Sequence, residues 1–67
     1  MPIVEVKLWK GVSEDAIENI IMGMTKVLTD LGIPERAIDV VVHEIPKTHW
    51  GVAGQPASRS MKNEKPP

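Results

Sequence analysis

A helix-period stripe of apolar residues lies between two strand-like segments, and this order restricts the fold more than any other feature of the sequence. The apolar positions of the central segment recur at spacings of three and one: Ile17, Ile20, Ile21, Met24, Val27, Leu28 and Leu31. A stripe with this 3.6-residue repeat is typical of an amphipathic helix and predicts one over about 14–31. Two strands separated by a helix need a crossover connection, so we expect them to pair in parallel with right-handed topology.

Both flanking segments have the two-residue period of strands. In residues 3–9, IVEVKLW, the side chains of Val4, Val6 and Leu8 share one face, opposite a face that carries charges. A half-buried strand is typical of this pattern. Residues 38–45, IDVVVHEI, contain three consecutive valines, so we expect both faces of the second strand to be covered. The helix covers one face, and the other face needs a second subunit.

Capping and turn residues mark the ends of these elements. Ser13 is placed to cap the helix N-terminus, and Gly32 is placed at the C′ position beyond its last turn. The small-residue stretch GVAGQPASRS after Pro46 indicates a turn or a short hairpin. The sequence therefore predicts an α+β fold, a β-α-β unit with a C-terminal hairpin. We expect one domain over 1–60 and a flexible tail over 61–67.

The size of the chain predicts an oligomer. A domain of 67 residues buries little surface and usually needs disulfides, a metal or oligomerisation. The chain has no cysteine and two histidines, which leaves oligomerisation as the expected remedy. Two units side by side would form a four-stranded sheet with two helices on one face, and a closed assembly of such dimers would cover the other face.

Charge and hydropathy argue against two classes of partner. Eight basic and nine acidic residues give a net charge of −1, without the basic surplus that nucleic acids or anionic membranes attract. No apolar run approaches the ~20 residues of a membrane span, and the N-terminus lacks the pattern of a signal peptide. We therefore expect a cytoplasmic protein with no nucleic-acid or membrane partner.

The segments MPIVEVKLWKGVS and VVVHEIPKTHWGVAGQPAS, with the helix between them, resemble the 4-oxalocrotonate tautomerase family over residues 2–60. The resemblance implies the tautomerase fold, which the macrophage migration inhibitory factor also has, with dimers assembled into a hexamer. It implies that Met1 is removed and that the amine of Pro2 is the catalytic base. It also places Trp50 where an aromatic side chain walls the proline pocket, and it implies an isomerase that needs no cofactor.

An N-terminal proline suits this chemistry because its secondary amine has a free lone pair. An α-amino group ordinarily titrates near pH ~8, and an apolar pocket lowers its pKa by disfavouring the ammonium form. Such a base can move a proton between the oxygen and carbon ends of an enol or 2-keto acid. Pro2 would otherwise be an ordinary residue at the start of a strand, and Trp50 an ordinary core or interface tryptophan.

Two positions depart from the family pattern. Where well-known members have substrate-binding arginines, this chain has Val12 and Asp39. A carboxylate near the base repels dicarboxylates and raises the pKa of the amine, so we expect weak activity on dicarboxylate substrates. Other cations could reach the site from the same or a neighbouring subunit: Lys7, Lys10, Arg36 and Arg59.

Three hypotheses for function follow. The chain is a homo-hexameric tautomerase acting on a small enol or keto acid, or the arginine-lacking subunit of a hetero-hexameric tautomerase or dehalogenase, or a non-catalytic assembly module. Hydratase or dehalogenase side activity is open, because a reactive amine also supports covalent chemistry. His43 and His49 are expected to be structural and exposed, respectively, with no partner set for a metal.

Overall fold

The computed structural model of the chain describes residues 1–66. Residue 67, the last residue of the predicted tail, lies outside the described residues. The elements follow in the order β1 (Ile3–Trp9), α1 (Glu14–Asp30), β2 (Asp39–Ile45), β3 (Gly51–Val52), β4 (Gln55–Pro56) and α2 (Ala57–Ser60), with single 3-10 turns at Glu35–Ala37 and Lys47–His49. The predicted α+β fold is confirmed, although the sequence did not predict α2 as a separate element.

Strands β1 and β2 pair in parallel, as the crossover predicts. Their register sets Ile3 opposite Asp39 and Trp9 opposite Ile45. Because partners in a parallel pair point to the same face, Val4, Val6 and Leu8 share the helix-facing side with Val40 and Val42. The β2 strand begins one residue later than expected, since Ile38 ends the preceding 3-10 turn.

Helix α1 has the predicted caps. The Ser13 side chain accepts a hydrogen bond from the Ala16 N–H at 3.1 Å. At the other end Leu31 is the C-cap and Gly32 adopts a left-handed φ of +97°. The Gly32 N–H donates to Thr29 and the Ile33 N–H to Leu28, which is the Schellman arrangement. These bonds end the helix at Asp30, one residue short of the expected boundary.

A second pair of strands forms the predicted C-terminal hairpin. Strands β3 and β4 are antiparallel, with Gly51 opposite Pro56 and Val52 opposite Gln55. The two turn residues, Ala53 and Gly54, both have positive φ angles, 52° and 82°. Positive φ at both central positions defines a type I′ turn, whose twist matches that of the flanking strands.

The single chain leaves much apolar surface uncovered. Helix α1 packs on one face of the β1–β2 pair, while Ile3 and Val41 on the opposite face are 63% and 42% exposed. Part of the α1 stripe is also open, with Leu31 74% exposed. The radius of gyration is 14.6 Å, against about 11 Å for a compact chain of this length. The fold of one chain is therefore flat and incompletely packed.

Within residues 1–66 there is no helix long and apolar enough to cross a membrane.

Candidate active site

Pro2 lies at the amino end of β1, at the edge of the parallel sheet. Its carbonyl oxygen accepts a hydrogen bond from the Asp39 N–H at 3.1 Å, which joins the starts of β1 and β2. Pro2 is half-buried, whereas Met1 before it is 87% exposed. The sheet therefore fixes the proline backbone while the residue ahead of it lies in solvent.

Asp39 is the predicted site residue that the fold brings to Pro2. It is the first residue of β2, it is exposed, and it lies opposite Ile3 in the register. An acidic side chain thus stands at the same sheet edge as the proline, where the family resemblance implied an arginine.

Trp50 lies at the opposite end of the strands. Its ring contacts Trp9, the last residue of β1, edge to face with 6.0 Å between ring centroids and 77° between ring planes. Pro2 and Trp9 are seven positions apart along extended chain, a span of about 23 Å at ~3.3 Å per residue. Trp50 and Pro2 of the same chain are therefore not in one pocket.

Val12 also lies at the Trp50 end of the molecule. It lies three residues after the end of β1 and is 9% exposed, one of the two buried apolar side chains within the described residues. The predicted site residues thus separate into two groups, with Pro2 and Asp39 at one end of β1 and Val12 and Trp50 at the other. A site that uses both groups needs two subunits.

The candidate cations are all at the surface. Lys7, Lys10, Arg36 and Arg59 are exposed, and within residues 1–66 none of them forms an ion pair. Arg36 lies in the 3-10 turn that leads into Asp39. Along the chain it is therefore closer than Arg59 to the strand end that pairs with Pro2. These positions leave all four side chains free to meet a substrate or another subunit.

One of the two histidines has an acidic neighbour. His43 Nε2 is 3.9 Å from Glu5 Oε1 on the sheet face opposite α1, and His49 is exposed. In the described part of the chain there is no group of three or more histidine, aspartate and glutamate side chains placed to hold a metal ion.

Sequence reasoning missed Trp9 and Lys47. The Lys47 ammonium lies 4.4 Å from the centre of the Trp9 ring, and Trp9 in turn contacts Trp50. One signal was available for Trp9, an aromatic residue on the face of β1 that also carries Ile3, Glu5 and Lys7. Nothing in the sequence indicated that Lys47 would reach it.

A shallow groove along α1 lies apart from these groups. It is lined by residues of the helix and of the turn before β2, among them Asn19, Met22, Lys26, Glu35 and Ile38. It contains neither Pro2 nor Trp50, so the groove and the candidate active site are separate surfaces.

Known proteins match nearly the whole length of this chain. The family described as tautomerase enzyme matches residues 2–59. The 2-hydroxymuconate tautomerase of Pseudomonas putida is 32% identical over 60 residues, covering 88% of this chain and 95% of that protein. Crystals of TomN, a 4-oxalocrotonate tautomerase homologue in the tomaymycin biosynthetic pathway, show a similar fold: the TM-score is 0.85 at 27% identity, over 91% of this chain and 95% of TomN.

A heterohexamer 4-oxalocrotonate tautomerase from Chloroflexus aurantiacus shares the fold as well. Its TM-score is 0.79 at 18% identity, over 88% of this chain and 97% of that chain. At this identity the likeness concerns the fold alone.

Proposed function

Because the chain belongs to the tautomerase family, we propose that it is a cofactor-independent isomerase that interconverts the enol and keto forms of a small 2-keto acid. The general base is the amine of Pro2, exposed by removal of Met1. The observation that supports this most directly is the setting of Pro2. The family match begins at this residue, the sheet holds its carbonyl, and the preceding methionine lies in solvent.

The chemistry is a balanced proton transfer. The neutral amine takes the proton from the enol hydroxyl, and the resulting ammonium returns a proton to the carbon end of the double bond. Pro2 suits the task because its ring fixes where the nitrogen points, and because the hydrogen bond from Asp39 holds the residue at the sheet edge. The amine is regenerated in each cycle.

The active site in this proposal lies between subunits. Pro2 and Trp50 lie at opposite ends of β1, so Trp50 of a second copy would wall the proline pocket of the first. The exposed Ile3 and Val41 on the open sheet face support such an assembly, since pairing would remove them from water. We propose a homo-hexamer built from three dimers, with a cytoplasmic location.

Val12 and Asp39 shape the proposed substrate range. Val12 is buried and uncharged, and Asp39 places a negative charge at the proline end. Neither can pair with a substrate carboxylate, so an enol with one carboxylate suits the site better than a dicarboxylate.

The same two residues favour a second candidate function. A chain without these arginines could complete the site of an arginine-bearing partner in a hetero-hexamer, the kind of assembly described for the Chloroflexus aurantiacus protein. A third candidate, an assembly module without chemistry, predicts that Pro2 can be replaced without functional effect.

The first experiment measures ketonisation of phenylenolpyruvate by protein whose mass shows that Met1 is absent. We expect Pro2→Ala to abolish the activity, because it removes the secondary amine. Pro34→Ala is the matched control, since Pro34 is exposed and lies in the loop after α1. Equal activity in the wild type and in Pro2→Ala would contradict the proposed base.

Native mass spectrometry separates the homo-hexamer from the hetero-hexamer. The chain is expressed alone and then together with related chains from the same genome. A hexamer of identical subunits that takes up no partner supports the first proposal. An inactive chain that gains activity on incorporating an arginine-bearing partner supports the second.

A further inference from the structure

The segment Met61–Pro66 folds back onto the end of β1. The Met61 N–H caps α2 by donating to the Ala57 carbonyl at 2.8 Å, and the Glu64 N–H donates to the Met61 carbonyl at 3.1 Å, so the chain turns again directly after α2. Pro66 then reaches Gly11, where an added Cβ would lie 3.2 Å from Pro66 Cγ. This segment follows residue 59, where the family match ends.

Lys47 connects this segment to β1. Its ammonium donates to the Met61 carbonyl at 2.6 Å and also to the Glu64 carbonyl, while it lies 4.4 Å from the centre of the Trp9 ring. An ammonium has three donor hydrogens and no acceptor, so two carbonyls and an aromatic face satisfy it. Within residues 1–66 Lys47 has no ion pair, so these neutral partners alone hold it in place.

The Trp9 ring in turn supports Trp50. The two rings meet edge to face at 6.0 Å, an orientation that aromatic pairs prefer. The Ala57 N–H, at the start of α2, donates to the Trp50 carbonyl at 2.7 Å. Trp50 is thus fixed through its ring by Trp9 and through its backbone by the element from which the tail departs.

We propose that Met61–Pro66 and Lys47 form a clasp that positions the Trp9–Trp50 pair, and that Lys47 is a positioning residue for the wall of the substrate pocket. The part concerning the pocket rests on the proposed function, in which Trp50 contacts substrate. Within the clasp, Lys47 binds backbone carbonyls of the segment Met61–Pro66. The clasp therefore needs this segment to be present but does not depend on the side chains of Lys62 or Asn63.

Because Lys47 binds backbone carbonyls, the clasp can be tested by removing either the carbonyls or the ammonium. A chain that ends at Ser60 loses both carbonyl acceptors, and Lys47→Met loses the charge and the donors while keeping an unbranched side chain. Lys47→Arg retains a cation that can donate to carbonyls and stack on an indole, so it should rescue the clasp. The matched control is Lys62→Met, which changes an exposed lysine of the tail itself.

The first readout is independent of activity. The chain has two tryptophans, so a circular-dichroism couplet from coupled indoles reports the Trp9–Trp50 contact. We expect the couplet to fall in the truncated chain and in Lys47→Met, and to persist in Lys47→Arg and Lys62→Met. An unchanged couplet in both the truncated chain and Lys47→Met would overturn the clasp. Having both variants keeps the test decisive if the truncated chain fails to assemble.

The second readout is kinetic. For phenylenolpyruvate we expect KM to rise about three- to tenfold in Lys47→Met with kcat nearly unchanged, the scale of the lost Lys47–Trp9 cation–aromatic contact behind the pocket wall. A lost couplet with unaltered KM would overturn the positioning role. An inactive wild type would refute the proposed function, and the couplet alone would then decide whether the clasp exists.

Discussion

Gly23 inside α1 and Gly32 just after its C-cap should respond in opposite ways to substitution by alanine. A Cβ added at Gly23 or at Gly32 meets no heavy atom within 4 Å, so steric contacts within the chain do not distinguish the two sites. Their backbones do. Gly23 lies in the interior of the helix, whereas Gly32 has a φ of +97° in the Schellman turn.

The magnitudes follow from these conformations. Alanine in a helix interior is more favourable than glycine by about 0.5–1 kcal/mol, so Gly23→Ala should stabilise each subunit by that amount. At Gly32 alanine costs about 1–2 kcal/mol for the left-handed conformation, of which about 0.4–1 kcal/mol is offset by a less flexible unfolded chain. The net effect is a loss of about 1 kcal/mol, so the two variants should differ by about 2 kcal/mol per subunit.

Urea unfolding followed by far-ultraviolet circular dichroism measures this difference. Subunit concentration must be the same for all variants, because the stability of an oligomer depends on it. A Gly32→Ala variant as stable as the wild type would refute the left-handed conformation of Gly32. A destabilised Gly23→Ala variant would refute the open surface at that point of α1 and indicate that another subunit packs there.

Substitutions at four further positions test other contacts. Ser13→Ala removes the acceptor for a first-turn N–H and should cost about 1 kcal/mol in urea unfolding, whereas Ser13→Asp should retain the stability. Trp9→Phe removes a buried indole N–H that has no acceptor within residues 1–66, so its unfolding free energy should change by less than about 1 kcal/mol, and a larger loss would indicate a hydrogen bond in the assembly. Asp39→Asn removes the negative charge at the Pro2 end of the sheet, so activity on a dicarboxylate enol should rise relative to activity on phenylenolpyruvate; an unchanged ratio would show that the carboxylate does not set the substrate range. Ile20→Asp puts a carboxylate on the half-buried side of α1 and should lower the unfolding free energy by about 3 kcal/mol, and a normal melt would show that this side does not face the sheet.

The proposed function explains why this chain leaves so much apolar surface open. A site divided between the two ends of β1 requires a second copy, and the same contacts that complete the site would cover Ile3 and Val41. Folding, assembly and catalysis would then depend on one set of interfaces. The single-chain radius of gyration, 14.6 Å, agrees with a subunit that completes its core only on assembly.

The sequence by itself determined the local elements. Strand β1, the start of α1, the Ser13 cap and the Gly32 turn could all be predicted, because each depends on residues within one or two turns of chain. Parallel pairing of the strands followed from the crossover. The predicted division into a domain over 1–60 and a flexible tail remains a prediction.

Only the tertiary structure decided which side chains meet. Trp9 and Trp50 are 41 positions apart in sequence, and Lys47 bonds carbonyls 14 and 17 residues further along the chain. Contacts of this kind depend on how β1, the hairpin and the tail pack together, and periodicity and capping carry no information about that packing. For the same reason the sequence could name Pro2, Val12, Asp39 and Trp50, but it could not show that one chain places them at two ends of a strand.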